Sequence, residues 1–345
     1  MREAGRGRRS PYLLILVAVV TVLIVAGAAS AVVQRSGSDE DDGAVSVCDA
    51  TQVADEVLPS VVMISANGAS GAGTGSGEVI RSDGSILTNN HVISQAADGG
   101  HVSVTFSDGS TEDATITGRD PQTDMAVLHV APSPQLKVIA IGSSDSVRVG
   151  QPVVAVGAPL GLDGTVTSGI VSALDRNVHV PSDAGRPALL VAAVQTDAAI
   201  NPGNSGGALV NCDSELVGVP TAGAVMPGGG GGNIGLGFAI PVDSAMKIAN
   251  ELIEHGSVTH SYFGLVTAPV SDGLFVQDVD PGGPAAQAGL QPGDVITELD
   301  GQAATSTVQL ESLTLTKRPA DKVQVTFTRD GQSMQATITL GAAPT

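Results

Sequence analysis

The sequence contains 345 residues, of which 42% are hydrophobic and 15% are charged, so the chain is long enough for two folded domains and is not disordered as a whole. Its 44 glycines and 19 prolines favour turns and short strands and argue against an all-helical bundle. The formal net charge is −19. Because a surface this acidic repels phosphate backbones, we expect no nucleic-acid partner.

The N-terminus carries a targeting signal. Four arginines among the first nine residues precede residues 10–34, which hold no charge and include a long apolar run. This length spans a bilayer, and the arginines favour a cytoplasmic N-terminus. Residues 1–35 are therefore predicted to be a basic tail and single-pass transmembrane anchor, and 36–48 an acidic linker outside the cytoplasm. A signal peptide cleaved after Ala29-Ser30-Ala31 is the main alternative, and a buried core helix is less favoured.

The sequence has two cysteines, Cys48 and Cys212, both on the exported side of the anchor. An isolated pair in an oxidising compartment tends to form a disulfide, although two unrelated buried thiols remain the alternative. Two cysteines alone cannot build a tetrahedral zinc site, and no histidine pair has metal-binding spacing. We therefore predict a disulfide and no metal.

The hydrophobic pattern predicts a mainly β domain over residues 49–257 and a small α+β domain over 258–345. Helical spacing is found at 51–58 and 242–255, and further helical segments are predicted at 284–288 and 307–316. Short apolar runs bounded by turn residues predict strands at 61–65, 77–81, 85–88, 102–106, 126–130, 152–156, 169–172, 189–195, 208–210 and 216–220. The glycine-rich run 71–77 leads into a strand rather than a helix, which argues against a phosphate cradle.

Three polar residues at predicted strand edges form a candidate catalytic set. Ser205 lies in NPGNSGG, where flanking glycines permit an exposed hydroxyl and close substrate approach. His91 ends one apolar strand and Asp124 precedes another. Each residue alone is more often a turn former or a structural side chain. The chain order His, Asp, Ser in an all-β region is that of the chymotrypsin-type triad, with backbone N–H groups of Gly203 and Ser205 as oxyanion donors.

Five segments together resemble the HtrA (high-temperature-requirement A, DegP/DegS-like) serine proteases: TNNHVI, DPQTDMAVLHV, GTVTSGIVSALDR, QTDAAINPGNSGGALVN and NIGLGFAIP. The resemblance covers about residues 54–332. It implies a trypsin-like double β-barrel domain followed by one PDZ domain, and a homotrimer. It assigns His91 as general base, Asp124 as its orienting carboxylate and Ser205 as nucleophile, with Gly203, Asn204 and Ser205 forming the oxyanion hole. Pro202 departs from some members, which have a polar or basic residue there.

The residue before the nucleophile, Asn204, is uncharged and cannot pair with a newly freed N-terminus, so zymogen cleavage is not the expected switch. Ordering of the loops 160–165, 181–187 or 226–232 is the alternative.

Substrate selection is predicted to depend on Ala199 at the base of the pocket, with Ile200 and Ile234 narrowing it by family resemblance. No acidic residue is available there for Lys or Arg, so small apolar side chains are favoured. Simple core packing is the competing interpretation. Extended substrates are expected to pair with the strand at 236–238.

In the C-terminal domain, Tyr262-Phe263-Gly264-Leu265 resembles the carboxylate-binding loop of a PDZ domain. Val308, Leu310 and Leu313 would line the apolar groove beside it. The competing interpretation of Gly264 is an ordinary strand bulge.

These features predict a membrane-anchored, extracytoplasmic serine endopeptidase that degrades misfolded or damaged envelope proteins. It would need no cofactor, and peptide C-termini captured by the PDZ domain would regulate it. The rival hypothesis is a peptide-binding chaperone or scaffold with an idle protease fold.

Overall fold

The computed structural model describes residues 48–158, 164–183, 185, 187–221 and 235–344. Among these residues no helix has the length and apolar character needed to cross a membrane. The predicted anchor and most of the acidic linker lie outside the described residues.

Residues 61–129 fold into a closed antiparallel barrel with strand order β1-β2-β3-β6-β5-β4. The strands are β1 (Val61–Gly68), β2 (Gly71–Val79), β3 (Ser85–Asn89), β4 (His101–Thr105), β5 (Thr111–Asp120) and β6 (Met125–His129). Alternating residues Val62, Ile64 and Ala66 point into its core. The glycine run that precedes the predicted strand 77–81 belongs to β2. Gly77 faces this core, where a Cβ would lie 2.8 Å from the side chains of Ile64 and Ile86.

A second set of strands forms a sheet with strand order β11-β8-β9-β10-β13-β12-β7, in which β11 also pairs with β12 and so closes a ring. The strands are β7 (Ala140–Ile141), β8 (Pro152–Gly157), β9 (Thr165–Val180), β10 (Ala188–Thr196), β11 (Ala208–Val210), β12 (Glu215–Thr221) and β13 (Gly237–Pro241). Strand β9 is much longer than the predicted run 169–172. Strands β5 and β7 have no predicted counterpart.

One hydrophobic cluster joins the two barrels. It contains Leu87 and Val127 from the first barrel and Val154, Val156 and Val219 from the second. The N-terminal helix α1 (Ala50–Val57) is capped by the Asp49 carboxylate and packs on this cluster through Val53 and Val57. The short helix α2 (Asn90–Ile93) follows β3.

Helix α3 (Val242–His255) has the bounds that its sequence spacing predicts. Val242, Ala245, Ala249 and Leu252 recur at helical intervals and are buried. The helix stops at Gly256, whose φ of 74° lets its N–H reach the carbonyl of Leu252.

The C-terminal domain is a five-strand path β15-β16-β17-β19-β20 with β18 paired to β17 and a separate pair β14-β21. Its elements are β14 (Ser261–Tyr262), β15 (Leu265–Val270), β16 (Gly273–Val279), α4 (Pro284–Gln287), β17 (Val295–Leu299), β18 (Gln302–Ala303), α5 (Thr307–Thr316), β19 (Lys322–Arg329), β20 (Gln332–Thr339) and β21 (Gly341–Ala342). Helix α5 starts with a capping box between Ser306 and Gln309.

Candidate active site

The first barrel brings His91 and Asp124 together through the pairing of β3 with β6. Asn89 lies opposite Met125, so the residues that follow β3 and precede β6 are neighbours. His91 Nδ1 lies 2.8 Å from Asp124 Oδ2, and the His91 backbone N–H donates to Asp124 Oδ1 at 2.9 Å. This carboxylate is fully buried, whereas 32% of the His91 side chain is exposed. The pairing places the ring proton on Nδ1 and leaves Nε2 as the basic nitrogen.

Asp124 adopts a left-handed φ of 58° in the turn between β5 and β6. Its carbonyl accepts hydrogen bonds from the Asn90 N–H and the Asn89 amide, both at 3.0 Å. Thr221 at the end of β12 donates its hydroxyl to Asp124 Oδ2 at 3.3 Å. The second barrel thus also contributes to the orientation of this carboxylate.

Ser205 lies in a tight turn between β10 and β11 of the second barrel. The Asn204 N–H donates to Asn201 and the Gly207 N–H to Asn204, each at 3.0 Å. Gly203 and Gly206 have φ values of 106° and 75°, in the region where glycine avoids strain. The Ser205 carbonyl accepts the Ser76 N–H at 2.9 Å, which ties the turn to β2 of the first barrel.

Asn204 is buried, and its amide donates to the Ala199 carbonyl at 3.1 Å. It therefore holds the base of the predicted pocket. Thr167 of β9 donates its hydroxyl to the same carbonyl at 3.0 Å. Ile200 is 6% exposed and packs over Gly237, where a Cβ would lie 2.6 Å from Ile200 Cγ1. Ile234 lies outside the described residues.

The structure excludes Phe238 from the substrate pairing expected along 236–238, whereas Gly237 pairs on one side only, with Thr196 of β10, among the described residues. Strand β13 is an interior strand, because Phe238 pairs with Gln195 of β10 on one edge and with Thr221 of β12 on the other. Its backbone hydrogen bonds are used within the sheet, so no substrate strand can add at Phe238.

The proposed peptide loop of the C-terminal domain lies between β14 and the edge strand β15. Phe263 is buried, and its carbonyl accepts the Ala285 N–H at 2.9 Å. Gly264 has a φ of 72°, and its carbonyl accepts the Asp280 N–H at 2.9 Å. Within the described residues β15 pairs only with β16, so its other edge is open to an added strand. Leu310 and Leu313 of α5 pack on the core of this domain.

Comparison with known proteins identifies both domains. Residues 75–219 match the trypsin-like peptidase domain, and residues 261–340 match the PDZ domain. Serine protease PepD of Mycobacterium tuberculosis is 45% identical over 305 residues, 85% of this chain and 66% of that protein. The periplasmic pH-dependent serine endoprotease DegQ of Escherichia coli is 41% identical over 282 residues, 78% of this chain and 59% of that protein.

Solved structures agree with these relatives. HtrA-type protease AlgW with a tripeptide has a TM-score of 0.71 at 34% identity, covering 86% of this chain and 98% of that one. The chain belongs to the HtrA-type serine protease family. The resemblance predicted from the motifs is thereby confirmed, as is a trypsin-like domain followed by a PDZ domain. The chain spans roughly 60% of the length of the two curated relatives, 66% of PepD and 59% of DegQ.

In this HtrA-type protein, the loop between β9 and β10 reaches the His91 region. Asp183 accepts a hydrogen bond from the Asn90 amide at 2.7 Å and pairs with Arg119. Burial raises the pKa of Asp183, but the bonds from Asn90 and Arg119 outweigh it and hold that pKa below its ordinary value. Ser182 donates to the Pro121 carbonyl at 3.0 Å. Of the three loops expected to order, 226–232 and 160–163 lie outside the described residues.

The HtrA-type domains also contact each other near this loop. His260, just before β14, lies 2.9 Å from Asp120 at the end of β5, and both side chains are buried. His179 of β9 lies 2.9 Å from Glu311 of α5 at the surface. Sequence reasoning missed Ser76, Asn90, Arg119, Asp120 and Thr221, since each acts through a partner distant in the sequence. Asn90 and Asp120 could have been found from the sequence, because both lie in the motifs that contain His91 and Asp124.

The structure joins Cys48 to Cys212 by a disulfide, with a Cα–Cα distance of 5.0 Å. Cys212 follows β11 and Cys48 precedes α1. A hydrogen bond from Ser214 to Glu56 links the same turn and helix. Both links fix α1 against the second barrel.

Proposed function

We propose that this protein is an exported serine endopeptidase in which His91, Asp124 and Ser205 form the catalytic triad. The observation that carries the proposal is the buried Asp124 carboxylate on His91 Nδ1, at 2.8 Å, with Nε2 left as the basic nitrogen. A second support is the backbone bond from Ser76 to Ser205, which ties the Ser205 turn to the barrel that bears this pair.

In the proposed mechanism, His91 Nε2 accepts the proton of Ser205 Oγ as the oxygen attacks the scissile carbonyl carbon. Asp124 stabilises the imidazolium that forms and holds its ring. The tetrahedral oxyanion is stabilised by the N–H groups of Gly203 and Ser205, which develop their full effect only in the transition state. The Asn204 N–H, expected from the sequence to join them, donates instead to the Asn201 carbonyl. His91 then protonates the leaving amine, and water hydrolyses the acyl-enzyme through the same base. No cofactor takes part.

We propose small apolar residues such as Val, Ala or Ile before the scissile bond. Ala199 and Ile200 bring no charge to the pocket base, and the amide of Asn204 occupies the Ala199 carbonyl. Ile234 is proposed as a further wall by family resemblance. A Lys or Arg side chain would be desolvated there without a counter-ion, which disfavours it strongly.

The proposed substrates are misfolded or damaged proteins outside the cytoplasm, reached from a single-pass anchor at residues 1–35 and an acidic linker at 36–48. The protease domain would span 49–257 and the PDZ domain 258–345. DegQ is named a periplasmic endoprotease, which supports an extracytoplasmic catalytic domain. A homotrimer is proposed from the family resemblance, and analytical ultracentrifugation of the full chain would test it.

Regulation is proposed to come from peptide C-termini bound at Tyr262-Phe263-Gly264-Leu265, between the open edge of β15 and α5. The structures of AlgW with a tripeptide and with a decapeptide support peptide binding by this family. The contacts of His260 with Asp120 and of Glu311 with His179 join the PDZ domain to the elements around His91. A bound peptide can activate only through different affinity for the resting and active states.

The test is Ser205→Ala in the full chain, with a peptide reporter, unfolded casein and a fluorophosphonate probe. We expect cleavage to fall by about 10⁴-fold or more and labelling to vanish, with an unchanged melting temperature, because only a small hydroxyl is lost. A wild-type chain that neither cleaves nor labels, yet still binds unfolded protein, would favour the chaperone or scaffold hypothesis. Near-normal cleavage by the variant would refute the assignment of Ser205.

A further inference from the structure

A buried serine of the first barrel, Ser76, stands where that barrel meets the turn of the proposed nucleophile. Ser76 is 0% exposed and lies in β2, opposite Met63 of β1. It belongs to neither the proposed triad nor the oxyanion hole. Any role of Ser76 in catalysis rests on the proposed function of Ser205.

Three hydrogen bonds of Ser76 cross from the first barrel to the second. Its N–H donates to the Ser205 carbonyl at 2.9 Å, and its hydroxyl donates to the Gly203 carbonyl at 2.6 Å. The same hydroxyl accepts the Ala158 N–H at 2.8 Å, directly after β8. Its own carbonyl accepts the Thr88 hydroxyl at 2.7 Å, which fixes Ser76 within its barrel.

Ser76 lies close to three glycines around the turn. At Gly207 a Cβ would lie 3.2 Å from Ser76 Cβ, and at Gly157 it would lie 3.2 Å from Ser76 Oγ. At Gly206 a Cβ would collide with the Ser76 carbonyl oxygen. The turn is therefore packed directly against Ser76.

The peptide joining Gly203 to Asn204 is held at both of its polar atoms. Its carbonyl accepts the Ser76 hydroxyl, and its N–H donates to the Asn201 carbonyl at 3.0 Å. Gly203 has a φ of 106° and no Cβ, so its intrinsic backbone preferences do not fix the direction of its own N–H. The hydrogen bond from the Ser76 hydroxyl to the Gly203 carbonyl restricts rotation of the Gly203 backbone and therefore of this N–H.

We propose that Ser76 is a positioning residue for the oxyanion hole. The Ser76 hydroxyl fixes the peptide between Gly203 and Asn204 and holds the turn of the nucleophile against the barrel that bears His91. Only a small hydroxyl side chain can donate to Gly203 and accept from Ala158 in this space. Alanine would fill the site but leave both partners without that bond. The consequence belongs to the transition state, since the oxyanion forms only there.

The test compares Ser76→Ala with Ser60→Ala in the full chain. Ser60 is a matched control, because it is 2% exposed and its hydroxyl donates to the Val57 carbonyl at 2.7 Å, away from the turn. For Ser76→Ala we expect kcat on a peptide reporter and the rate of fluorophosphonate labelling to fall about ten- to a hundredfold, with KM within about threefold. Ser60→Ala should lose comparable thermal stability but keep kcat near the wild-type value.

A second variant, Ser76→Cys, keeps a side chain of similar shape with a weaker donor, so its kcat should lie between those of wild type and Ser76→Ala. Equal kcat for Ser76→Ala and Ser60→Ala would overturn the proposal, as would wild-type kcat in a folded Ser76→Cys variant. Failure of both Ser76 variants to fold would assign the residue to stability alone and also overturn it. Cleavage by the Ser205→Ala variant would instead refute the proposed function of Ser205.

Discussion

The two barrels hold their halves of the proposed active site in different ways. In the first barrel, direct pairing of β3 with β6 brings the His91 ring and N–H onto the Asp124 carboxylate. In the second, the turn that carries Ser205 depends on bonds from outside its own strands, above all from Ser76. The base and its carboxylate are thus set mainly by local strand register, with one added bond from Thr221 of the second barrel, whereas the nucleophile turn depends more on how the barrels pack. Substitutions should therefore act locally in the first half and through packing in the second.

The largest effect on kcat is expected from substitution of Asp124 in the first barrel. In Asp124→Asn the shape is kept, but the amide no longer favours a proton on His91 Nδ1 or stabilises an imidazolium. We expect kcat to fall about 10⁴-fold with little change in KM or folding. Reporter cleavage measures kcat, and circular dichroism measures the fold.

Asp120→Asn is the matched control for that variant. Asp120 is a buried carboxylate four residues earlier, bonded to His260 and Thr123 rather than to His91. The kcat of Asp120→Asn should fall far less than that of Asp124→Asn. Equal losses in the two variants would show that the turn as a whole, not its carboxylate on His91, sets the activity.

Much of this first half could be predicted from sequence, and less of the second. His91, Asp124 and Ser205 each lie in a long local motif, and the apolar residues of α3 follow helical periodicity, so these features could be predicted. Strand β5 was missed because its residues alternate between exposed and half-buried positions without an apolar run. Ser76 looks like one more small residue in a glycine run. Its role depends on Gly203 and Ala158, 127 and 82 residues away, and only the packed barrels bring these together.

The next largest effect is expected on stability, when the Cys48–Cys212 disulfide that ties α1 to the second barrel is removed. Its sequence separation of 164 closes a long loop, so the double variant Cys48→Ser/Cys212→Ser should lose about 5 kcal/mol of unfolding free energy in the chain-entropy model. Urea unfolding measures the loss, and thiol counting of the unfolded wild-type chain without reductant should find no reactive thiol.

Ser214→Ala removes only the hydrogen bond to Glu56 that links the same turn and helix, so its loss should be about 1 kcal/mol. Identical unfolding of the oxidised and reduced wild-type chains would contradict a stabilising role for the disulfide.

A smaller effect is expected at Glu78, on the boundary between the barrels. Its Cα partners are Val61 and Leu87, both in the cluster that joins the barrels, and neither carboxylate oxygen has a hydrogen-bond partner among the described residues. Burial raises the pKa of Glu78 well above its ordinary value of 4.5, although its own backbone N–H acts in the opposite direction. The folded state therefore keeps a proton that the unfolded state releases. The contribution of Glu78 to stability is therefore greatest below about pH 4.5 and falls as pH rises toward its folded-state pKa.

Glu78→Leu should raise the free energy of unfolding by about 1–3 kcal/mol and flatten this pH dependence. Glu78→Gln should flatten it while gaining less stability, since a buried amide still lacks partners. Urea unfolding from pH 5 to pH 8 measures both. A wild-type chain whose stability, relative to Glu78→Gln, rises over that interval would contradict the sign of the shift.

The smallest effect is expected where the PDZ domain meets the second barrel at the surface. The His179–Glu311 pair is about 40% exposed on both sides, so solvent and salt screen it. Glu311→Gln should change stability by less than about 1 kcal/mol and shift peptide activation by no more than about threefold. The matched control is Glu251→Gln, which removes a longer contact of 3.8 Å to Arg318 between the same two domains. Reporter cleavage against concentration of an apolar C-terminal peptide, at low and high salt, measures the shift. A change of tenfold or more that persists at high salt would mean that this surface contact, and not the buried His260–Asp120 pair, couples the PDZ domain to the active site.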